Sequence, residues 1–318
     1  MQLFDLHCDT LSELRYAEEA GQPKSFAEND LQIDLKNDYH FSFERALQYD
    51  GCTQVMAVWI PDEYRGEAAV NLAEKCAALL KKQMNSNCGF KQANSFNELE
   101  NHSHNVVLSI EGGAALNGKL ENIKRFRKLG VRFLTLTWNG ANEIGDGILC
   151  KNPKGLTEFG KAAVAELEKN GIIIDVSHAS VPLFWQTAEL AKRPFVATHS
   201  NARAVCKNPR NLDDEQFKHI CKIGGIVGIN FHRFFVTDSG TADFSDLHRH
   251  IEYFLSLGGE NVLALGSDYD GAEMPPCIKG VQSMGEFYNY LLRHNYSEDI
   301  IRKIFYTNAY NFCKNFDI

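Results

Sequence analysis

Leu3-Phe4-Asp5-Leu6-His7-Cys8-Asp9-Thr10 opens the chain as a short buried strand that ends in His-x-Asp. Residues two apart on a strand project to the same side, so His7 and Asp9 leave the strand end together. An imidazole beside a carboxylate is half of a divalent-metal site. Such a pair is ordinary by itself, and a surface turn or a hydrogen-bonded core histidine is the blander account. It gains meaning because later strands finish the same way. Cys8, between the two, points to the other side and reads as core.

Outward from this strand, residues 17 to 49 are polar with weak periodicity and read as loop with one short helix. Residues 54 to 60 form a buried strand stopped by Pro61, and 67 to 83 carry apolar residues at helical spacing. Ser95 caps a short helix over 95 to 100. A strand over 105 to 110 runs into Glu111-Gly112-Gly113. Strand and helix then alternate regularly. Strands are expected at 131–137, 172–176, 195–198, 225–231 and 262–266, with helices at 120–129, 157–170, 181–191, 213–223 and 244–257. Helices at 284–294 and 297–304 and a last turn at 308–314 close the chain. The middle strands are apolar without alternation, as parallel strands covered on both faces are. Eight such units predict an α/β fold, a (β/α)8 TIM barrel of the metal-dependent hydrolase type. An open doubly wound sheet is the alternative, but no Gly-rich phosphate loop follows the first strand. Nothing divides the chain, so residues 1–318 are expected to form one domain.

In such a barrel the active site lies at the C-terminal strand ends. Those ends carry His7 and Asp9, Glu111, His178, His199 and Asp268. Each is a ligand or acid/base type. Each histidine alone is more often structural, but six such residues at equivalent positions argue for a metal centre. Three imidazoles and two carboxylates suit Zn²⁺. Five ligands are too many for one tetrahedral zinc with an open position. They suit two metals sharing a carboxylate. Glu111 is the natural bridge because it lies between the two groups in barrel order, which leaves Asp268 for proton transfer. His40, His102, His104, His219, His248, His250 and His294 fall in loops or helices and read as solvated. His232, after the seventh strand, is ambiguous.

The formal net charge of −8 argues against a nucleic-acid surface. No apolar run approaches the ~18 residues of a membrane span. No signal-peptide pattern opens the sequence. The nine cysteines include no Cys-x-x-Cys pair and read as reduced thiols of a cytoplasmic protein.

His7-x-Asp9, Ile110-Glu111-Gly112-Gly113, Asp175-Val176-Ser177-His178, Thr198-His199-Ser200 followed by Arg210-Asn211, and Gly266-Ser267-Asp268-Tyr269-Asp270-Gly271 together resemble the membrane (renal) dipeptidase family, peptidase M19, of the amidohydrolase superfamily. The resemblance runs in order along nearly the whole chain. It implies a zinc dipeptidase hydrolysing small L,L- and L,D-dipeptides with a hydroxide bridging two Zn²⁺. It implies that His7, Asp9 and Glu111 hold the first zinc and that Glu111, His178 and His199 hold the second. Asp268 matches the catalytic aspartate, with Asp270 as a turn residue. Arg210 matches an arginine that grips the substrate carboxylate, a pairing suited to a guanidinium. Relatives are commonly dimers, so a homodimer is an expectation too. The chain departs from the family at Trp138, where renal-type members carry a substrate-contacting histidine. Trp donates one N–H and cannot be protonated, so Asn142 is the candidate substitute. An N-acyl-amino-acid deacylase on the same metals is the competing activity, and a dead barrel that only binds is a third reading, disfavoured because every ligand is present.

Overall fold

The computed structural model describes residues 1–19, 39–85 and 88–317. Gln2–Cys8 lies inside a parallel sheet. In space the order runs from Ile173–Asp175 through Val131–Thr135, His104–Glu111, Gly51–Trp59 and Gln2–Cys8 to Leu263–Leu265 and Val227–Ile229. Residues 195–198 join the two ends. Asp175 bridges Val196, and Ala197 bridges Val227. Val196 N donates to Ile174 O at 3.0 Å, and Ala197 N to Ile226 O at 3.0 Å. The ring is thereby closed with eight positions, the expected (β/α)8 barrel. The sixth position is two bridges rather than the ladder that the sequence suggested.

Helices fall between the strands largely where the periodicity places them. Thr157 caps Glu158–Lys169 by accepting from Gly160 N, and Ser180 caps Val181–Leu190 by accepting from Leu183 N. Asp213 and Gln216 form a reciprocal capping box on Asp214–Lys222. Three features differ from expectation. A helix, Thr10–Glu19, starts directly after Asp9 and takes residues 17 to 19 out of the supposed loop. Residues 20–38 lie outside the described residues, and Phe43–Ala46 supplies the short helix expected within residues 17 to 49. Lys91–Gln92 pairs in parallel with the start of His104–Glu111, opposite Asn105 and Val106, and the closing turn is a helix, Asn308–Phe316.

Apolar side chains fill the barrel in an inner layer that includes Phe4, Leu6, Val107, Phe133 and Val196. The Asn308–Phe316 helix plugs one end with Ala309, Cys313 and Phe316. Each fully buried Phe, Leu or Val side chain contributes about 1.5–3 kcal/mol. A second apolar shell, with Leu3, Met56, Leu108 and Leu134, packs between the strands and the helices.

Plain alternation does not deliver His7. Phe4 and Leu6 face inward, which would turn His7 out and Cys8 in. The pairing with Gly51–Trp59 shifts register between Asp5 and Cys8. Such a bulge resets the alternation, so Leu6 and His7 both face in and Cys8 packs outside. His104–Glu111 needs no such device, because Val107, Ser109 and Glu111 follow the ordinary two-residue period.

Candidate metal centre and active site

The structure brings His7, Asp9, Glu111, His178, His199 and Asp268 together, all buried. His7 Nε2 stands 3.2 Å from Asp9 Oδ2, 3.7 Å from Glu111 Oε2 and 3.9 Å from Asp268 Oδ1. Glu111 Oε1 lies 3.0 Å from His178 Nε2 and 3.4 Å from His199 Nε2. Glu111 therefore faces His7 with one oxygen and the two other histidines with the other.

Backbone strain places two of these groups. His178 and Asp268 follow short strands and adopt φ of +64° and +63°, and Asp270 adopts +69°. The left-handed region is unfavourable for a residue with a Cβ, by about 1–3 kcal/mol each, and collects at functional sites. Gly271 is needed for space: a Cβ there would fall 2.0 Å from Asp9 Oδ2.

Second partners fix the orientation of each ring and carboxylate. Asn139 Oδ1 accepts from His178 Nδ1 at 2.9 Å. Thr198 Oγ1 lies 2.8 Å from His199 Nδ1 and donates to Asp175 Oδ2 at 2.6 Å. Asn230 Nδ2 donates to Asp268 Oδ2 at 2.9 Å. Asp270 accepts from Thr10 Oγ1 and, at 2.7 Å, from His40 N. It ties residues 40 and 10 to the site and also lines its cavity.

The donor set fits divalent cations. His178 and His199 bring their Nε2 atoms to 3.1 Å from each other and set both against Glu111 Oε1. Three electron-rich atoms meeting in a buried place are mutually repulsive until a cation lies among them. Asp9 Oδ1 is also buried without a hydrogen-bond partner among the described residues. His7, Glu111 and His199 present ligand atoms within 4.8 Å of one another, as do His7, Asp9 and Asp268.

The electrostatics agree. Burial pushes the carboxyl groups of Asp9 and Glu111 up, partly offset by His7. Burial drives His178 and His199 well below the ordinary imidazole range, so both are neutral, as metal ligands must be. His7 is opposite: burial disfavours its charge, but Glu111 and Asp9 overcome this and raise it to about 10.

A cavity of about 250 Å³ opens on this cluster, lined by Asp9, Glu111, His178 and Asp268 together with Trp59, Trp138, Asn139 and His232. Trp138 lies edge-on to Trp59 at 4.9 Å between ring centres. Asn142 is elsewhere. Its Nδ2 donates to Leu136 O at 2.9 Å and its Oδ1 accepts from Ile144 N at 2.8 Å, so it braces the loop. The loop's asparagine in the cavity is Asn139. Arg210 is buried behind the rim, Nη1 on Ser200 Oγ at 2.9 Å and Nη2 on His199 O at 3.0 Å. Its Nε has no partner among the described residues. Burial lowers this guanidinium to about 10 against the pull of Asp268 and Glu111. The sequence reading assigned no role to Asn139, Asn230, Gly271 and Trp59. Asn139, next to Trp138, and Gly271, inside the quoted motif, carried a signal.

A family model described as Membrane dipeptidase (Peptidase family M19) matches residues 1–316. The chain belongs to this family. It is thus a metal-dependent hydrolase of the M19 dipeptidases. The dipeptidase AC, an M19 metallopeptidase, superposes with a TM-score of 0.87 at 27% identity over 100% of this chain and 99% of that one. A metallopeptidase from Rhodobacter sphaeroides, liganded with a phosphinate mimic of the dipeptide L-Ala-D-Ala, gives 0.86 at 26% identity over 99% of each chain. An uncharacterized protein in the pqqA 5′ region of Klebsiella pneumoniae is 36% identical over 220 residues, 66% of this chain and 81% of the relative. Dipeptidase 3 of Mus musculus is 29% identical over 253 residues, 77% of this chain, and the matched part spans 51% of the mouse protein. Among the described residues no helix is long and apolar enough to cross a membrane, and no disulfide links the cysteines.

Proposed function

We propose that this protein is a binuclear zinc dipeptidase acting on free dipeptides, with L,D pairs among its substrates. The observation that carries the reading is the cavity wall. It holds five carboxylates, Asp9, Glu13, Glu111, Asp268 and Asp270, and no Lys or Arg among its described residues. Two divalent cations neutralise part of that charge, and the remainder favours a substrate ammonium group. At about 250 Å³ the cavity is below the roughly 300–1,000 Å³ of ordinary small-molecule clefts, which favours a short substrate.

Residue roles follow. His7, Asp9 and Glu111 would hold one Zn²⁺, and Glu111, His178 and His199 would hold the other. When bound, the two ions supply a nucleophilic oxygen at neutral pH and polarise the scissile carbonyl. Asp268 is the proton carrier. Asn230 holds its Oδ2, leaving Oδ1 on the His7 side to take a proton and pass it to the leaving amine. Arg210, buried behind the rim, is assigned to the substrate's far carboxylate on the strength of its unpartnered Nε, and His232 stands at the cavity as a further donor. Trp59 and Trp138 form an apolar wall where renal-type relatives have a histidine. The R. sphaeroides metallopeptidase liganded with an L-Ala-D-Ala mimic supports including L,D substrates.

Zn²⁺-loaded protein assayed with L-Ala-L-Ala, L-Ala-D-Ala and their N-acetyl forms tests this. Turnover of the free dipeptides with loss of at least tenfold in kcat/KM on acetylation is expected. Preference for the acetylated compounds would establish the deacylase activity instead.

A further inference from the structure

We propose that Asp175, acting through the Thr198 hydroxyl, fixes the ring proton of His199 on Nδ1 and so keeps Nε2 open for the second cation. This rests on the metal-centre reading above. Asp175 is a positioning residue: it is buried and lies behind His199, away from the cavity.

Four donors converge on its carboxylate. Oδ1 accepts from the backbone N–H groups of Ser177 and Thr198, both at 2.9 Å. Oδ2 accepts from Thr135 Oγ1 at 2.7 Å and Thr198 Oγ1 at 2.6 Å. With two backbone N–H groups and two hydroxyls all directed at it, this carboxylate accepts on both oxygens, and the single proton of Thr198 is committed to Asp175. Thr198 Oγ1, 2.8 Å from His199 Nδ1, can then only accept from the ring. The ring proton is on Nδ1, and the Nε2 lone pair faces Glu111 Oε1 at 3.4 Å. Ser177 Oγ, 3.3 Å from Thr198 Oγ1 and accepting from His199 N at 3.2 Å, is compatible with this direction because its own proton can go to Thr198.

The placement explains why a carboxylate is used. The donors come from three neighbouring barrel positions, and one is residues 195–198, joined to the ring by bridges alone. Where the ladder is thinnest, one buried anion gathers the strand ends and sets the direction of the hydrogen bonds.

Asp175→Asn reverses that direction. The two backbone N–H groups still require an oxygen, so the amide nitrogen takes the Oδ2 position and donates to Thr135 and Thr198. The Thr198 hydroxyl then turns to His199 Nδ1, and the ring proton moves to Nε2, where the cation must bind. The test is ¹⁵N-histidine NMR of the metal-free chain, with His199 assigned by His199→Gln, followed by Zn²⁺ titration. The unaltered chain should show His199 protonated on Nδ1, and Asp175→Asn on Nε2. Affinity for the second Zn²⁺ should fall about 10–100-fold in Asp175→Asn and in Thr198→Val, and recover in Thr198→Ser. A purely structural role would lower Tm while leaving tautomer and second-site affinity unchanged. His199 protonated on Nε2 in the unaltered chain overturns the proposal, as does a folded Thr198→Val with unchanged second-site affinity. If Asp175→Asn does not fold, Thr198→Val decides. Failure of the unaltered chain to bind Zn²⁺ would defeat the proposed function instead, and the tautomer would still be read separately.

Discussion

The two sides of the barrel hold their half of the site by different means. Gln2–Cys8, Gly51–Trp59 and His104–Glu111 are seven, nine and eight residues long, and their ladders carry His7 and Glu111 to the rim. Ile173–Asp175, Val227–Ile229 and Leu263–Leu265 have three residues each, and residues 195–198 only bridge. On that side His178 and Asp268 depend on left-handed backbone, and His178, His199 and Asp268 on hydrogen bonds with Asn139, Thr198 and Asn230. Long ladders aim a ligand by register; short ones leave the aiming to side chains.

Glu111 joins the two sides, so its loss should be most damaging. Glu111→Gln is expected to lower bound metal to one ion or fewer per chain, by elemental analysis, and to abolish measurable turnover. Two retained ions would break the idea that both sides share this carboxylate. On the thin side, Asp268→Asn should keep both ions, since Asn tolerates the left-handed conformation, and lose about 10²–10⁴ in kcat. A kcat within a few-fold of the unaltered enzyme would remove Asp268 as the proton carrier.

On the long side, Gly271→Ala sharpens the comparison by pushing a methyl into Asp9. Zn²⁺ affinity at the His7–Asp9 position should drop about tenfold or more, a loss typical of a disturbed ligand shell, and the His178–His199 position should be unaffected. Equal loss at both would show that the sides are not independent.

The same side has a pH signature. His7 is raised to about 10 in the metal-free chain. Its folded value exceeds its unfolded one, so its contribution to stability is complete below the unfolded value of about 6.5 and is lost as pH rises toward 10. A cation must displace that proton, so Zn²⁺ affinity should rise with pH across the same window, by up to about tenfold per unit. The thermal shift on adding Zn²⁺ should therefore widen from pH 6.5 to 9, and a constant shift would contradict the His7 assignment. The smallest effect is expected away from both sides. Asp213→Ala removes the capping box on Asp214–Lys222 and should cost about 1 kcal/mol, with metal content and kcat unchanged.

The sequence was most legible where one residue's chemistry and one element's period coincide. Glu111 ends an uninterrupted strand, and its position follows from the two-residue period. The resemblance carried His178, His199 and Asp268. The left-handed φ of His178 and Asp268 is invisible in composition, because it arises from the turn that each short strand makes at the rim. The bulge before His7 was hidden for a related reason: it depends on pairing with Gly51–Trp59, not on residues 3 to 10 themselves. Asn142 and Asn139 have the same side chain three residues apart. Only the folded loop distinguishes the one that braces Leu136 and Ile144 from the one that meets His178. The helix over Thr10–Glu19 escaped notice because its polar residues blur the apolar stripe.

The most direct measurement is titration of metal-free protein with Zn²⁺, following bound metal and L-Ala-L-Ala hydrolysis together. Two equivalents should bind, with full activity arriving only as the second is taken up and disappearing in excess chelator. Saturation at one equivalent or none, or hydrolysis that persists in chelator, would contradict a shared pair of cations at the barrel rim.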